Sequence, residues 1–318
     1  MNDINVICIG SAVMDITAYP VGQKNSWQEK QRISSIRIRI GGDAANQSVH
    51  LADLGIDTAL AACVGDDENG RILRNTLKER GVNTAFIKVK NDWETGTALV
   101  LTDEAGERHI FSVQGAHSTI SKDDLPEIPE FCKAISLASL FSMPQLERDG
   151  LLVYLKEAKK KGIPVFADLA SDKQKQGLTG IQKFLPYIDY FLPSLYDALA
   201  MTGAADAQEA AEKYRSLGVK CVVIKCGKDG CYYAAGKQCG HIPAPSVHPA
   251  DTTGAGDCMS ALFISRILKG YSVEAACRFA CAGATYSTLF PGAAEEKLTE
   301  NRISEFYSQT KKGADIYE

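Results

Sequence analysis

The feature that most limits how this chain can fold is a repeated rhythm: a short apolar run, a segment with apolar residues near every 3.6 positions, then a glycine. INVICI at 4–9 comes first, DAANQSVHLADL at 43–54 is followed by Gly55, and TALAACV is followed by a helical pattern through Glu79 closed by Gly81. AISLAS, a helix over 147–161 closed by Gly162, IPVFAD, DYFLP, a helix over 206–217 closed by Gly218 and VKCVVIK continue the series. Strands separated by helices pair most readily in parallel, and uninterrupted apolar strands are buried on both sides. The pattern therefore predicts an α/β fold with a mostly parallel sheet covered on both faces.

Two stretches break the rhythm. ISSIRIRI at 33–40 alternates apolar residues with arginine, and 84–113 offers TAFIKVK, TALVLT and RHIFSV with no helix between them. DEAGE at 103–107 is a good turn between the last two. Such half-exposed antiparallel strands do not suit a parallel core, so a small separate sheet is expected, either a lid or a fixed edge extension.

Composition removes several classes of function. The 318 residues carry 35 Lys plus Arg against 39 Asp plus Glu, a net charge of -4, and are 45% hydrophobic. That is ordinary for a globular protein and wrong for one held mainly by nucleic-acid phosphates. MNDINVICIG lacks the cationic start of a secretory signal, and no apolar stretch approaches the roughly 18 residues of a membrane span. A soluble cytoplasmic protein is expected, with the 10 cysteines as buried reduced thiols, Cys277 and Cys281 lying one helical turn apart.

The chemistry concentrates in ADTTGAGDCMSALFISRILKG at 250–270. Met259, Leu262, Phe263 and Ile267 share one helical face, Gly270 is a stop, and Thr252 or Thr253 can cap the start. A helix beginning at Gly254, Ala255 and Gly256 presents amides to an anion with no side chain in the way. Asp257 would repel that anion unless it serves another purpose. It either complements the helix dipole or acts as the base that deprotonates a hydroxyl nucleophile. Neither usual nucleotide fingerprint is present: GCYYAAGKQ at 230–238 has the wrong glycine spacing for a Walker loop, and no strand leads into GxGxxG.

DTTGAGD at 251–257, with GGDAANQSVHLADLG at 41–55, VGDDENGR at 64–71 and GSAVMDI at 10–16, resembles the PfkB or ribokinase family of carbohydrate kinases, and the likeness runs through nearly the whole chain. The resemblance implies one ribokinase-like domain over residues 1–318, three-layered, with a β lid from about 17–40 and 84–114. It implies that Asp257 is the catalytic base and that Gly254, Ala255 and Gly256 form the anion hole. Asp15, Gly41, Gly42 and Asn46 would hold sugar hydroxyls, with Asp43 either an extra acceptor or a helix cap. VVIKCGKDG at 222–230 resembles the segment lying along the nucleotide, which makes Lys225 and Gly227 ATP contacts. Where the family commonly has Asn-x-x-Glu, this chain has Ser194 and Asp197, shorter ligands for positioning Mg2+ and phosphate. Asp251 and Thr253, with the region around Gly292, match the layout of a K+ site. Lids of two subunits often pair in this family, which implies a homodimer.

The resulting expectation is an ATP-dependent kinase for a hydroxyl of a small sugar or sugar derivative, with a nucleoside as the competing acceptor. A sugar-binding regulator with weak turnover is the reading that Ser194 and Asp197 invite. A nicotinamide-dependent oxidoreductase lacks its phosphate fingerprint. His109, His117 and His248 read as surface or structural residues.

Overall fold

A computed structural model of the protein describes residues 4–22, 30, 32–104 and 108–310. The first half runs β1 (Val6–Ile9), β2 (Val13–Tyr19), β3 (Ser35–Gly41), α1 (Asp43–Asp53), β4 (Thr58–Gly65), α2 (Glu68–Glu79), β5 (Ile87–Lys90), β6 (Thr97–Thr102) and β7 (Arg108–Val113). Next come β8 (Ala134–Leu140), α3 (Pro144–Asp149), α4 (Leu151–Lys160), β9 (Val165–Leu169), α5 (Gly177–Ile181), β10 (Tyr190–Phe191), α6 (Leu195–Thr202) and α7 (Ala207–Ser216). The chain continues through β11 (Cys221–Lys225), β12 (Cys231–Ala235), β13 (Gln238–Ile242), α8 (Ala255–Leu268), α9 (Val273–Ser287) and α10 (Glu300–Thr310).

Nine strands form the central sheet in the order β13-β12-β11-β10-β9-β8-β1-β4-β5. From β11 to β5 every pairing is parallel, and β12 and β13 add an antiparallel hairpin at one edge. Side-chain alternation divides the core in two. Val6, Cys8, Leu60, Ala62, Phe166 and Val223 pack with α1, α8 and α9 on one face. Ile7, Ile9, Ala61, Leu137, Val165 and Val222 pack with α4 and α7 on the other. This is the three-layer arrangement that the rhythm predicts. No helix among the described residues is long and apolar enough to cross a membrane.

Several expectations need correction. TAFIKVK does not join the small sheet: β5 pairs in parallel with β4 at the edge of the central sheet. Its alternation reflects an edge position rather than a separate layer. The small sheet, ordered β3-β2-β6-β7, instead recruits β2 from Val13 onward, and β2 and β6 run parallel, so it is mixed rather than antiparallel. The lid bounds of 17–40 and 84–114 therefore shift to begin at Val13 and to omit 84–96. Residues 105–107 of the DEAGE turn lie outside the described residues. The helix expected over 147–161 is two, α3 and α4, meeting at Gly150, where a Cβ would come within 2.6 Å of the Lys122 Cβ.

The described cysteines are free thiols, all buried except half-buried Cys226 and exposed Cys239. Cys281 lies 3.5 Å from Cys231, across the interface between α9 and β12.

Helix α8, which carries Asp257, is seated on strand ends by an aromatic cluster. Phe166 stacks on Tyr190 with ring centroids 4.4 Å apart, and Phe263 meets them edge-on at 6.3 and 5.8 Å. Phe263 is fully buried. Phe263→Ala should cost about 3–5 kcal/mol of unfolding free energy in urea titrations, the usual penalty for emptying an aromatic site in a packed core. A loss below about 1 kcal/mol would mean that this cluster does not hold the helix in place.

Candidate active site

The first turns of α1 and α8 meet at the carboxyl ends of the parallel strands, where folds of this kind place ligands. The α8 start is not capped as expected from Thr252 or Thr253. Its N-cap is Gly254, at φ 72 and ψ 1, with no side-chain cap bond. That left-handed conformation suits glycine, and a Cβ there would also lie 2.6 Å from the Ala293 Cβ. The Ala255 amide donates to the Thr252 carbonyl at 3.3 Å, so one nitrogen of the turn is partly committed to the protein. Among the described residues, the Gly254 and Gly256 amides face no acceptor.

Asn46, buried on α1, donates from Nδ2 to Asp257 Oδ2 at 2.8 Å, joining the two helix starts. Asp257 is half-buried and Gly256 beside it is exposed. Burial, then the negative charges of Asp43 and Asp168, push the Asp257 carboxyl well above the ordinary range; the Asn46 bond and Lys225 pull the other way. Asp43 is pushed up to about 7, first by burial and then by Asp168, with Lys225 opposing. It does not cap α1, because Gly42 holds that position and the Asp43 amide donates to Ser11 Oγ at 3.0 Å.

Asp168, at the end of β9, is a member of the site that the sequence reading missed. Its buried carboxylate accepts from Lys225 Nζ and, at 2.9 Å, from Ser260 Oγ. The signal was present: VFADL is an apolar strand interrupted by one acid. Lys225 is thereby held against Gly256, where a Cβ would sit 3.4 Å from Nζ. The ammonium of Lys225 thus lies beside the bare amides of the turn.

Asp15 is on β2, its carboxyl directly over Gly41, where a Cβ would fall within 2.8 Å of all three carboxyl atoms. Burial pushes Asp15 up to about 6, with the Arg39 guanidinium opposing. Gly227 stands in a short turn after β11 with open space above it.

Ser194 and Asp197 are occupied with each other. Ser194 caps α6, accepting from the Asp197 amide at 3.1 Å and donating to Asp197 Oδ2 at 2.5 Å. Asp251 ties two loops together: Oδ2 accepts from the Gly292 amide at 2.9 Å, and Oδ1 from the amide and hydroxyl of Thr253 at 2.9 and 2.7 Å. That donor set fits a loop junction better than a direct cation ligand. No three His, Cys, Asp or Glu side chains among the described residues converge as a direct metal site.

His50, buried on α1, braces the same loop through a 3.1 Å bond between Nε2 and the Ala293 carbonyl, and burial holds its pKa down to about 4. His117 is half-buried, while His109 and His248 are exposed. A cavity of about 700 Å³ opens between the lid and these loops, lined among others by Asp15, Arg37, Arg39, Asp251, Thr253 and Gly292. Its wall stops short of Asp257, and Asp15 is the shared member, since it lines the cavity and its charge also acts on Asp43.

The family model described as pfkB family carbohydrate kinase matches residues 3–300. Among curated proteins, ribokinase of Bacillus subtilis is 28% identical over 304 residues, covering 96% of this chain and 99% of its own length. An uncharacterised sugar kinase of Archaeoglobus fulgidus is 32% identical over 228 residues, 70% of this chain and 88% of that protein. The structure of Arabidopsis thaliana ribokinase complexed with ribose and ATP superposes with a TM-score of 0.79 at 26% identity, covering 95% of this chain and 98% of that one.

The charge cluster makes a stability prediction. A carboxyl whose folded pKa is raised keeps a proton that the unfolded chain releases, so stability falls as pH rises through the window between the two values, here about 4 to about 7 for Asp43. Asp43→Asn should therefore stabilise the protein at pH 8 by about 1–3 kcal/mol, an advantage that fades toward pH 4.5 in urea melts. A gain of the same size at both pH values would remove the electrostatic explanation.

Proposed function

This chain belongs to the pfkB family of carbohydrate kinases, and from that premise we propose that it transfers the γ-phosphoryl group of ATP to a hydroxyl of a small sugar or sugar derivative, with Asp257 as the base. As an ATP-dependent sugar kinase it has two tasks: to draw the proton from the attacking alcohol and to take up charge on the transferring phosphoryl group.

The observation that carries the residue assignment is the junction of Asn46, Asp257 and the glycine turn. A carboxylate pushed up by burial and like charge is a stronger base than an exposed one, and Asn46 fixes which oxygen points where. The Gly254 and Gly256 amides, at the positive end of α8, are the donors for the phosphoryl oxygens. The Lys225 ammonium beside Gly256 adds a charge on the same side, and open Gly227 leaves room for the nucleotide. Asp15 and Asp43, as acceptors near Gly41 and Gly42, orient the sugar hydroxyls.

The crowding of Asp43, Asp168 and Asp257 fits a cation brought in with the nucleotide, since a positive charge there relieves their repulsion. Asp43 and Asp168 are the residues that would hold a Mg2+ ion arriving with ATP, and the ion would neutralise charge on the phosphates. Ser194 and Asp197 act on this site indirectly, by fixing the start of α6 beside the end of β11, where Ser194 and Lys225 pair as an isolated bridge.

The lid excludes water from the transferring group when it closes on bound sugar. Its outer face suits a second copy of the chain. Ile36 and Ile38 on β3, Leu99 on β6, and Phe111 and Val113 on β7 share that face and are 37–66% exposed. A lid-to-lid homodimer would cover this apolar surface.

Purified Asp257→Asn should bind sugar and ATP but turn over at least ~100-fold more slowly, the usual scale of general-base catalysis. ADP release would be followed over pentoses, hexoses and nucleosides with and without Mg2+. Near-normal turnover by the variant overturns the assignment of the base, and ADP formation dependent on Mg2+ and acceptor removes the reading as a regulator with weak turnover. For the dimer, Ile38→Glu with Phe111→Glu should convert a sedimenting dimer to monomer. Wild-type protein that sediments as a monomer at tens of micromolar would dismiss the lid interface.

A further inference from the structure

The two arginines of the lid are not used by any step above. The antiparallel register of β2 and β3 sets Asp15 opposite Arg39, Thr17 opposite Arg37 and Tyr19 opposite Ser35. All of these residues line the cavity of about 700 Å³, whereas the intervening Ile36 and Ile38 face outward, 66% and 58% exposed. The alternation of IRIRI thus delivers two guanidiniums to the substrate side of the lid, two residues apart and about 7 Å from each other along the strand.

Their charges are answered differently. Arg39 has Asp15 across from it and Glu295 at 3.8 Å. Arg37 is level with Thr17 on one side and, through Thr17, with Val100 of β6. Neither carries charge, and no carboxylate partner of Arg37 is found among the described residues. The other acid in the cavity wall, Glu104, lies four residues beyond Val100. Hydroxyls of Thr17, Ser35 and Thr252 and the apolar Val100 and Ile110 make up much of the remaining wall near the lid.

We infer that the acceptor sugar carries an anionic group, a carboxylate or a phosphate, and that Arg37 of the lid binds it; this rests on the kinase reading above. The planar fork of arginine matches both anions with two parallel hydrogen bonds. Asp15 and Arg37 lie on adjacent strands two register steps apart, close to the length of a pentose or hexose chain. A sugar whose hydroxyls sit on Asp15 therefore brings a terminal acid group to Arg37. A neutral sugar would leave that guanidinium without a counter-charge as the lid closes, which penalises it as an alternative acceptor.

The test compares gluconate, 2-keto-3-deoxygluconate, fructose 6-phosphate and ribose 5-phosphate with glucose, fructose and ribose, by ADP release and by thermal shift. At least one anionic sugar should exceed every neutral one in kcat/KM by ~10-fold or more, and the sugar acids and sugar phosphates separate the two anions. Arg37→Ala should collapse that ratio by at least ~10-fold, through KM rather than kcat, and Arg37→Lys should recover part of it. Turnover of neutral sugars in preference to all anionic ones, or an unchanged ratio in Arg37→Ala, overturns the inference and leaves the kinase reading standing. If no sugar yields ADP, the kinase reading fails, and thermal shift decides the rest. Stabilisation by anionic sugars that Arg37→Ala abolishes upholds the anion site, and its absence overturns it.

Discussion

The hydrogen bond from Asn46 to Asp257 spans 211 residues and is the contact on which the site depends. It joins the first turn of α1 to the first turn of α8, so the glycines at 41–42 and the glycine turn at 254–256 are fixed relative to each other. The helices pack on the same face of the sheet, and Phe263 holds α8 to the strand ends below. In the transfer proposed above, a sugar hydroxyl and a phosphoryl group would meet only if those two turns keep their distance, so the packing of α8 would be part of the chemistry.

Asp168, Lys225 and Ser260 solve a second problem at the same edge. Three carboxylates, Asp43, Asp168 and Asp257, act on one another through a low-dielectric setting, and leaving them all charged and unpaired would be costly. Lys225 is the positive charge inside the group, and Ser260 shares the Asp168 carboxylate with it. Asp43 and Asp257 respond by holding their protons more tightly, so folding stability is given up at the place where the proposed base stands.

The parallel core was legible because its signals are local: apolar runs of strand length, helical periodicity and a glycine after each helix. The glycine turn before Asp257 was legible for the same reason. What stayed hidden depends on pairing at a distance. TAFIKVK alternates like a lid strand, yet its partner is β4, and an edge strand of a parallel sheet produces the same half-exposed pattern. β2 was missed as a lid strand because VMDITAY follows β1 after only a short break and carries no turn signal of its own. Asp168 shows in the sequence only as the one acid of the apolar strand VFADL, and it is the register of β9 against its neighbours that brings it to Lys225. Ser194 and Asp197 were implied as ligands by the family resemblance, but Ser-x-x-Asp is also the pattern of a helix cap, and the cap is what forms.

The lid shows how one strand serves two surfaces without compromise. Period-two alternation sends Arg37 and Arg39 inward and Ile36 and Ile38 outward, so a change on one face leaves the other chemically untouched. The inward face carries Asp15, Thr17, Arg37 and Arg39 beside the apolar Val100 and Ile110, a mixed surface that would suit the sugar proposed above. The outward face is apolar although it borders water. An exposed β face this apolar invites association. In the arrangement proposed above, closure over the sugar and cover for the outer face would come from the same four strands, and a partner lid that braced the outer face would also limit how far the inner face can open.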